Sequence, residues 1–399
     1  MNELDVLVIG AGPAGMAAAK RAHESGARVA MVDDNWSAGG QIWRGTHDAH
    51  TLAGIRTFWG TQVIAHGSGV RTLLLEDYGK AFELAFDKLI LATGARELFL
   101  PFPGWTLPGV MGAGGLQALV KSGVGIQGKA VVIAGSGPLL LAVGAHLHKT
   151  GARVKLIAEQ AATRAVSSFA FHMLRYPAKV TQAAALKLSL AGVPYLPGCW
   201  VEAAEGEGRL KRVRLRKGLK SWMEDCDYAG IGYGLYPNTE LASLLGCRLQ
   251  AKAIAVDEWQ QTSVDGVFAA GECTGIGGVD LSLVEGEIAG YTACGETARA
   301  KRLFGKRSHA KRFAGAMDRA FQLREELRTL PRPETIVCRC DDVRYEKLRQ
   351  ATSFRAAKLH TRCGMGPCQA RICGPATEFL FGWRTDSVRP PILPARAAS

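Results

Sequence analysis

Short apolar runs alternate with a helical repeat at the start of the chain. Leu4–Ile9 is an apolar run typical of a buried strand, and a glycine-rich turn follows it directly. The alanine-rich stretch from Met16 to Glu24 has helical character, and the apolar run Arg28–Val32 ends at two aspartates. This order of strand, glycine turn, helix and strand predicts a βαβ unit of the dinucleotide-binding type.

The same pattern returns later in the chain. Ala130–Ala134 precedes a second Gly-x-Gly turn, and the apolar run Arg153–Ala158 ends at Glu159. Other candidate strands are Gln62–Ala65, Val70–Leu75, Phe82–Phe86, Lys88–Leu91 and the run from Val267 to Ala270. We therefore predict two dinucleotide-binding domains, with the second inserted into the first.

Composition sets limits on the class of protein. The chain has 399 residues, enough for two or three domains, and its 48 glycines suit an α/β protein with many tight turns. No apolar run reaches the roughly 18 residues of a membrane span, and the polar N-terminus does not resemble a signal peptide. We therefore expect a cytoplasmic protein without a transmembrane segment, in which grouped cysteines favour metal over disulphides.

The net charge of +13 is partly carried by residues 299–312. No nucleic-acid recognition motif accompanies this basic stretch, so we expect no nucleic-acid partner.

The first glycine turn has the spacing of a nucleotide-binding loop. In Gly10-x-Gly12-x-x-Gly15, the glycines permit a tight turn, an approach to a pyrophosphate and close helix–strand packing. The helix N-terminus at Pro13-Ala14 offers N–H groups to phosphate. Asp33, followed by Asp34, can accept hydrogen bonds from the ribose hydroxyls. An acid at this position favours FAD or NAD over NADP, because it would repel the 2′-phosphate of NADP.

Three later motifs favour FAD. Gly39-Gly40-Gln41 can bring backbone to a flavin, and Ala92-Thr93-Gly94 follows a buried strand. Gly271-Glu272 follows another, where a carboxylate can bind the ribityl chain.

The second turn departs from the pattern. It has Gly135 and Gly137, but Leu140 occupies the third glycine position. Either NAD(P) or another adenine nucleotide binds there, or the turn is a structural remnant; a bound nucleotide would meet Glu159, which favours a free 2′-hydroxyl.

Five of the ten cysteines lie between 338 and 373. Cys338 and Cys340 form a CxC pair, and Cys368 and Cys373 a C-x4-C pair, while Cys363 is a spare or replaces one of them. Soft thiolates at this spacing suit a [2Fe–2S] cluster; zinc and metal-free buried thiols are alternatives. The chain has no CxxC pair, which argues against disulphide-reductase chemistry, and no acid–base catalytic group stands out.

At this point the sequence resembles a known family over nearly its whole length. The matching stretches include VIGAGPAGMAAA, GGQIWR, LILATGARE, GYGLYPNTELASLLGC, VFAAGECTGIGG and TRCGMGPCQARICG. They resemble the α subunits of heteromeric FAD-dependent amine and imino-acid dehydrogenases, such as opine oxidase, hydrogen cyanide synthase and proline or hydroxyproline dehydrogenase. The tail is similar to the bacterioferritin-associated-ferredoxin type of [2Fe–2S] domain.

The resemblance implies cofactors and partners. A separate FAD-containing β subunit of the amine or amino-acid oxidase type oxidises the C–N bond, and a small ferredoxin-like subunit completes some complexes. The α subunit holds FAD or another adenine nucleotide, shares FMN at a subunit interface and passes electrons onward. The implied cluster ligands are Cys338, Cys340, Cys368 and Cys373, with Cys363 extra. Between Arg44 and Thr57 the chain is shorter than other family members, which have a segment there that helps cover the cofactor.

The predicted fold is α/β, with two nested Rossmann-like domains of the disulfide-reductase type and a small cysteine-rich C-terminal α domain. The expected parts are a FAD or nucleotide domain (1–128 and 253–298), an inserted NAD(P)-binding-like domain (129–252), a basic connector (299–330), a [2Fe–2S] domain (331–385) and a tail (386–399). The expected function is the α subunit of an amine dehydrogenase or oxidase. The alternatives are a stand-alone NAD(P)H-dependent FAD reductase and a scaffold subunit with structural nucleotide and zinc.

Overall fold

A computed structural model describes residues 4–43, 52–385 and 387–396. Within these ranges, none of the helices combines the length and apolarity that a bilayer crossing needs. Arg44, the last residue of the GGQIWR stretch, and most of the short segment that follows it lie outside the described residues, as do parts of the predicted tail.

The strands, in chain order, are Leu4–Ile9 (β1), Val29–Asp33 (β2), Arg56–Trp59 (β3), Thr61–His66 (β4), Thr72–Asp77 (β5), Lys80–Leu91 (β6), Ala95–Glu97 (β7), Val110–Gly112 (β8), Ala130–Gly135 (β9), Arg153–Glu159 (β10), Tyr195–Pro197 (β11), Cys199–Glu205 (β12), Arg212–Lys217 (β13), Lys220–Asp225 (β14), Tyr228–Gly232 (β15), Leu235–Pro237 (β16), Leu249–Gln250 (β17), Ala253–Ile254 (β18), Val267–Ala269 (β19), Ile336–Cys338 (β20) and Val343–Arg344 (β21). The helices are Pro13–Glu24 (α1), Ala113–Lys121 (α2), Leu139–Lys149 (α3), Thr163–Met173 (α4), Pro177–Ser189 (α5), Glu240–Leu244 (α6), Gly278–Ala293 (α7), Thr297–Lys301 (α8), Phe304–Ala320 (α9), Tyr345–Leu348 (α10), Phe354–Thr361 (α11) and Cys373–Phe381 (α12).

The chain divides into two compact units. Unit 1 comprises Met1–Arg96, Tyr236–Gly315 and Ser387–Ser399, and unit 2 comprises Glu97–Leu235 and Ala316–Asp386.

Unit 1 is built on a sheet with the order β3-β2-β1-β6-β5-β4, in which β19 also pairs with β6. Its parallel part places Val8 beside both Met31 and Ile90. β1 and β2 read as nearly continuous apolar runs because both faces of a parallel sheet are covered. The predicted first βαβ unit is therefore confirmed.

Helices α1 and α7 pack very closely in unit 1. A Cβ atom built on Gly286 would lie 2.1 Å from the Ala14 carbonyl oxygen, and one on Gly290 would lie 2.3 Å from that of Ala18. Glycine at these two positions of α7 is what allows the backbones to approach.

Unit 2 contains a second parallel sheet with the order β11-β10-β9-β15-β8 and an antiparallel sheet β12-β13-β14. Val131 pairs with Val154 and with Tyr228 in neighbouring strands. The segment with the clustered cysteines belongs to the same unit. The nested pair of dinucleotide folds agrees with the predicted α/β class.

Several segments group differently from the predicted domains, among them residues 236–252 of the predicted inserted domain, which group with unit 1. Residues 97–128 group with unit 2, because β8 pairs with β15 of the second sheet. Residues 316–386 also group with unit 2. The predicted strands Phe82–Phe86 and Lys88–Leu91 form one strand, β6, whose first half pairs with β5 and whose second half pairs with β1.

Candidate functional site

The first glycine turn combines two packing glycines with one open position. Gly10 has a φ of +102°, and a Cβ there would lie 2.2 Å from the Ala92 carbonyl oxygen. A Cβ on Gly15 would lie 1.8 Å from the Gly10 carbonyl oxygen. A Cβ on Gly12, in contrast, has no atom of the described residues within 4 Å. Gly10 and Gly15 therefore close the turn, while Gly12 faces open space.

Helix α1 begins at this open position. Gly12 is its N-cap, Pro13 occupies the first turn, and no side chain of the described part of the chain caps the N-terminus. The first-turn N–H groups, including that of Ala14, therefore form a site suited to an anion. Gly40 lies beside the turn, since its Cβ would come within 3.0 Å of the Gly12 Cα atom. Gln41, which follows it, is exposed.

Asp33 at the end of β2 is tied to the same turn. Its Oδ2 accepts a hydrogen bond from the Ala11 N–H at 2.6 Å, and its Oδ1 accepts one from the Asn35 N–H at 2.8 Å. An ionised carboxylate has further lone pairs for ribose hydroxyls. Asp34 is more exposed, and its Oδ1 accepts a bond from the Asn35 side chain at 3.0 Å.

The stretch Ala92-Thr93-Gly94 is held by Asn238, a residue that sequence reasoning missed. The Thr93 hydroxyl donates to the backbone carbonyl oxygen of Asn238 at 2.7 Å. The side-chain amide of Asn238 donates to the backbone carbonyl oxygen of Thr93 at 2.9 Å. The Asn238 N–H also donates to the Gly94 carbonyl oxygen at 3.0 Å. Its only signal in the sequence was its place in the GYGLYPNTE stretch.

A second missed residue, Glu285 on α7, holds the loop of Gly271 and Glu272. Its Oε2 accepts bonds from the Gly271 N–H at 3.1 Å and the Thr274 hydroxyl at 3.0 Å. Burial raises the pKa of Glu285, and the nearby Lys311 ammonium partly opposes that rise. Burial also raises the pKa of Glu272, which accepts a hydrogen bond from the Gly278 N–H.

The second glycine turn is more closed. A Cβ on Gly135 would lie 1.8 Å from the Gly232 carbonyl oxygen, so this glycine serves packing between β9 and β15. The Gly137 N–H donates to Glu159 Oε2 at 2.7 Å. Leu140 is buried in the core beneath the turn. Burial raises the pKa of Glu159, which is fully inaccessible to solvent, to about 7.

Three cysteines of the tail converge. The sulfur atoms of Cys338, Cys363 and Cys373 all lie within 4.8 Å of one another, and all three side chains are buried. Hydrogen bonds from the Cys363 and Cys373 thiols lower the pKa of Cys338, and the interaction with Cys338 raises the pKa of Cys363. A thiolate held among thiols is a suitable ligand set for a soft metal.

Cys340 and Cys368 form the outer part of the same segment. Cys340 is exposed and interacts with the Cys368 side chain, which is half-buried. A Cβ on Gly366 would lie 2.2 Å from the Cys340 Cβ, so only glycine lets this loop approach. The structure thus groups two of the predicted ligands, Cys338 and Cys373, with Cys363, which the resemblance treats as extra, while the other two, Cys340 and Cys368, interact with each other.

The loops around these cysteines have unusual backbone conformations. Asp342, Arg362, Gln369 and Ala370 all have positive φ angles. Such conformations in residues other than glycine persist only where the surroundings impose them, and they are concentrated at functional sites. All ten cysteines lie in the described ranges, and none of them forms a disulphide there.

Comparison with known proteins places this geometry in context. Residues 4–298 match the family model described as pyridine nucleotide-disulphide oxidoreductase. Hydrogen cyanide synthase subunit HcnB of Pseudomonas aeruginosa is 30% identical over 437 residues, which cover 96% of this chain and 92% of the relative. The A subunit of opine oxidase from Agrobacterium tumefaciens is 30% identical over 458 residues, which cover 99% of this chain and 90% of the relative.

Solved structures show the same fold. L-Proline dehydrogenase from P. horikoshii is similar with a TM-score of 0.72 and 18% identity, covering 98% of this chain and 78% of that one. Thioredoxin reductase from T. acidophilum is similar with a TM-score of 0.56 and 20% identity, covering 74% of this chain and 99% of that one.

Proposed function

Because the chain belongs to the pyridine nucleotide-disulphide oxidoreductase family, with HcnB and the opine oxidase A subunit among its relatives, we propose that this oxidoreductase is the α subunit of a heteromeric flavin-dependent dehydrogenase or oxidase. The proposed reaction converts a CH–NH bond of a secondary amine or amino acid to C=N and releases two electrons and two protons. The proposed substrates are of the opine, proline or hydroxyproline, sarcosine or glycine type. The observation that carries this proposal is the presence, in one chain, of an open glycine turn and a convergent cysteine group.

The first glycine turn is the proposed seat of FAD or another adenine nucleotide. The open backbone at Gly12 and the uncapped start of α1 suit a pyrophosphate, while Asp33 suits the ribose. The remaining proposed contacts are Gly10, Pro13, Ala14, Gly15, Asp34, Gly40, Gln41, Ala92, Thr93, Gly94, Gly271 and Glu272. Asn238 and Glu285 act as positioning residues, since each fixes one of these loops through hydrogen bonds.

The tail is the proposed seat of a [2Fe–2S] cluster on Cys338, Cys340, Cys368 and Cys373. Two observations support this assignment: the Cys338 and Cys373 sulfurs lie within 4.8 Å of each other, and Cys340 interacts with Cys368 in a loop whose approach Gly366 permits. A bound flavin accepts an electron pair, and an iron–sulfur cluster passes electrons on singly.

The proposed partner is an FAD-containing β subunit of the amine or amino-acid oxidase type. Two relatives are named as subunits, which supports a heteromeric assembly. An FMN at the subunit interface and a small ferredoxin-like subunit are further parts of this proposal. The protons released by the amine leave in the partner's site, so this chain contributes no acid or base to the oxidation step.

Anaerobic purification of the chain, alone and co-expressed with a flavoprotein of the amine or amino-acid oxidase type, tests the proposal. We expect bound flavin or adenine nucleotide, two irons per chain and an EPR signal after reduction. Dye reduction by the complex with opines, proline, sarcosine and glycine then identifies the substrate. A colourless, iron-free chain with intact thiols would contradict the electron-transfer function, and one zinc per chain would favour the scaffold alternative.

A further inference from the structure

The second glycine turn lies at the carboxyl ends of β9 and β10, where the fold would place an NAD(P) pyrophosphate and ribose. Glu159 Oε2 accepts from the Gly137 N–H at 2.7 Å, and its Oε1 accepts from the Ala161 N–H at 2.8 Å, as Asp33 accepts from two N–H groups in the first turn. The difference is burial: Asp33 keeps 8% of its surface exposed, whereas Glu159 is fully buried and its carboxylate is not presented to a ribose.

The chain's own residues 321–324, which follow α9, cover this turn; we refer to them as the arm. The Ser136 hydroxyl, inside the glycine turn, donates to the Phe321 carbonyl oxygen at 2.9 Å. Gln160 sits directly after β10 and is completely buried. Its amide donates to the Gln322 carbonyl oxygen at 3.1 Å, and its Oε1 accepts from the Arg324 N–H at 3.1 Å.

The Phe321 side chain also lies over the turn. A Cβ on Gly137 would meet the Phe321 ring at 4.0 Å, so the ring covers the position where backbone would approach a pyrophosphate. Phe321 packs edge-to-face against Phe169 of α4, with ring centroids 5.2 Å apart. The turn is therefore covered by both backbone and side chain of the arm.

We propose that the second glycine turn binds residues 321–324 of its own chain in place of NAD(P). The second dinucleotide domain then serves as the structural support that holds the cysteine segment in place. Contacts further along the chain support the second part. The Arg324 guanidinium stacks on Trp200 at 4.8 Å, Arg328 donates to the Phe379 carbonyl oxygen, and the Trp105 indole donates to the Ile336 carbonyl oxygen at 2.6 Å.

The first consequence concerns electrons. NAD(P)H cannot reduce the protein through this domain, because the arm covers the glycine turn at Gly137 and bonds to Ser136 and Gln160 beside it. The second consequence concerns the structural order of the segment that carries the cysteines. The hydrogen bonds of Gln160 fix the start of the segment that leads to Cys338 and Cys340. This inference concerns the second glycine turn alone, so it stands or fails independently of the proposed amine oxidation.

Hydrogen exchange measured by mass spectrometry tests whether Gln160 holds the arm in place. Gln160→Leu keeps a side chain of similar size and removes its hydrogen bonds to the arm. We expect exchange at 321–324 to become about tenfold faster, which corresponds to roughly 1.4 kcal/mol. Gln350→Leu, at an exposed position of the same unit, is the matched control. Unchanged exchange at 321–324 in Gln160→Leu would overturn the proposed structural support of the cysteine segment.

The nucleotide part is tested on the unmodified protein, so it does not depend on a variant that folds. Exchange at residues 135–141 is measured with and without millimolar NADH and, separately, NADPH. We expect no protection there, whatever happens at residues 10–16 of the first turn. Protection of 135–141 by either nucleotide would show that the arm yields to NAD(P) and would overturn the inference.

Discussion

At the scale of single residues, Gly12 separates nucleotide binding from folding. Its φ of −74° suits alanine, and the added methyl group points into open space. We therefore predict that Gly12→Ala folds with an unchanged Tm but binds its nucleotide at least about tenfold more weakly, because the methyl group takes the place of a phosphate oxygen. The nucleotide released on denaturation is measured by absorbance and chromatography.

Two other glycines complete this experiment. Gly15→Ala should lower the Tm, since its Cβ would lie 1.8 Å from the Gly10 carbonyl oxygen. Gly125→Ala, which also adds a methyl group in open space, should change neither property. Equal nucleotide content in Gly12→Ala and the parent protein would exclude the first turn as the nucleotide-binding site.

The cysteines give the second residue-scale prediction. Cys363 and Cys373 are both buried near Cys338, yet only Cys373 belongs to the proposed ligand set. We predict that Cys373→Ser loses the cluster, as Cys338→Ser does, while Cys363→Ser keeps two irons per chain. Iron analysis and the EPR spectrum of the reduced protein provide the measurement. Retention of iron in Cys373→Ser together with its loss in Cys363→Ser would exchange the roles of these two residues.

Glu159 gives a prediction for pH. Burial raises its pKa from 4.5 to about 7 in the folded state, so between these values the folded protein binds more protons than the unfolded chain. Stability therefore falls as pH rises from about 4.5 to 7, by about 3 kcal/mol from this group. Glu159→Gln should flatten the profile by this amount in urea unfolding experiments.

The matched control for this titration is Glu207→Gln, whose side chain is 96% exposed. It should leave the slope between pH 4.5 and 7 unchanged. An unaltered slope in Glu159→Gln would mean that Glu159 ionises normally inside unit 2.

At the scale of elements, the contact between α1 and α7 rests on glycine. Alanine at Gly290 would place a methyl group 2.3 Å from the Ala18 carbonyl oxygen, so the helices must separate. We predict that Gly290→Ala lowers the free energy of unfolding by about 1–3 kcal/mol. Chemical denaturation measures this, and the flavin content of the folded fraction reports the effect on the first turn.

A helical glycine with open surroundings is the control for this substitution. A methyl group added at Gly305 in α9 would have no atom of the described residues within 4 Å, so Gly305→Ala should be neutral or stabilising by up to about 1 kcal/mol. Destabilisation by both substitutions alike would indicate a general effect of the added methyl group.

The sequence pattern predicted where strands and helices form better than it predicted which strands pair with one another. Apolar runs ending in Gly-x-Gly located β1 and β9 because these signals are local. The pattern could not show that Val110–Gly112 pairs with β15, since this pairing joins residues far apart in the chain. For the same reason residues 97–128 were assigned to the first domain, whereas they group with unit 2.

At the scale of the whole molecule, the site shows the same limit. The acids at the strand ends were predictable because fold and charge specify them, whereas their hydrogen bonds to the turn were not. Coverage of Ser136 by Phe321 was unpredictable because the two residues are distant in sequence and nothing in residues 321–324 is specific to this contact. Sequence reasoning therefore left open whether the second turn binds a nucleotide, and the contacts of the arm favour a structural role.

The last prediction concerns the assembled protein. If this chain relays electrons from a partner flavin, the chain alone should not reduce a dye with any amine, while the complex should. Cys340→Ser in the complex should leave the bleaching of the partner flavin by the amine at its normal rate, since the C–N bond is oxidised in the partner. Steady-state transfer to the acceptor should then fall to a small fraction of its normal rate, because the exposed side of the cysteine group is interrupted. Stopped-flow absorbance separates the two steps, and Cys294→Ser, which alters a cysteine outside the tail, is the control. Normal steady-state turnover by an iron-free Cys340→Ser complex would place the electron route wholly in the partner and leave this chain a structural role.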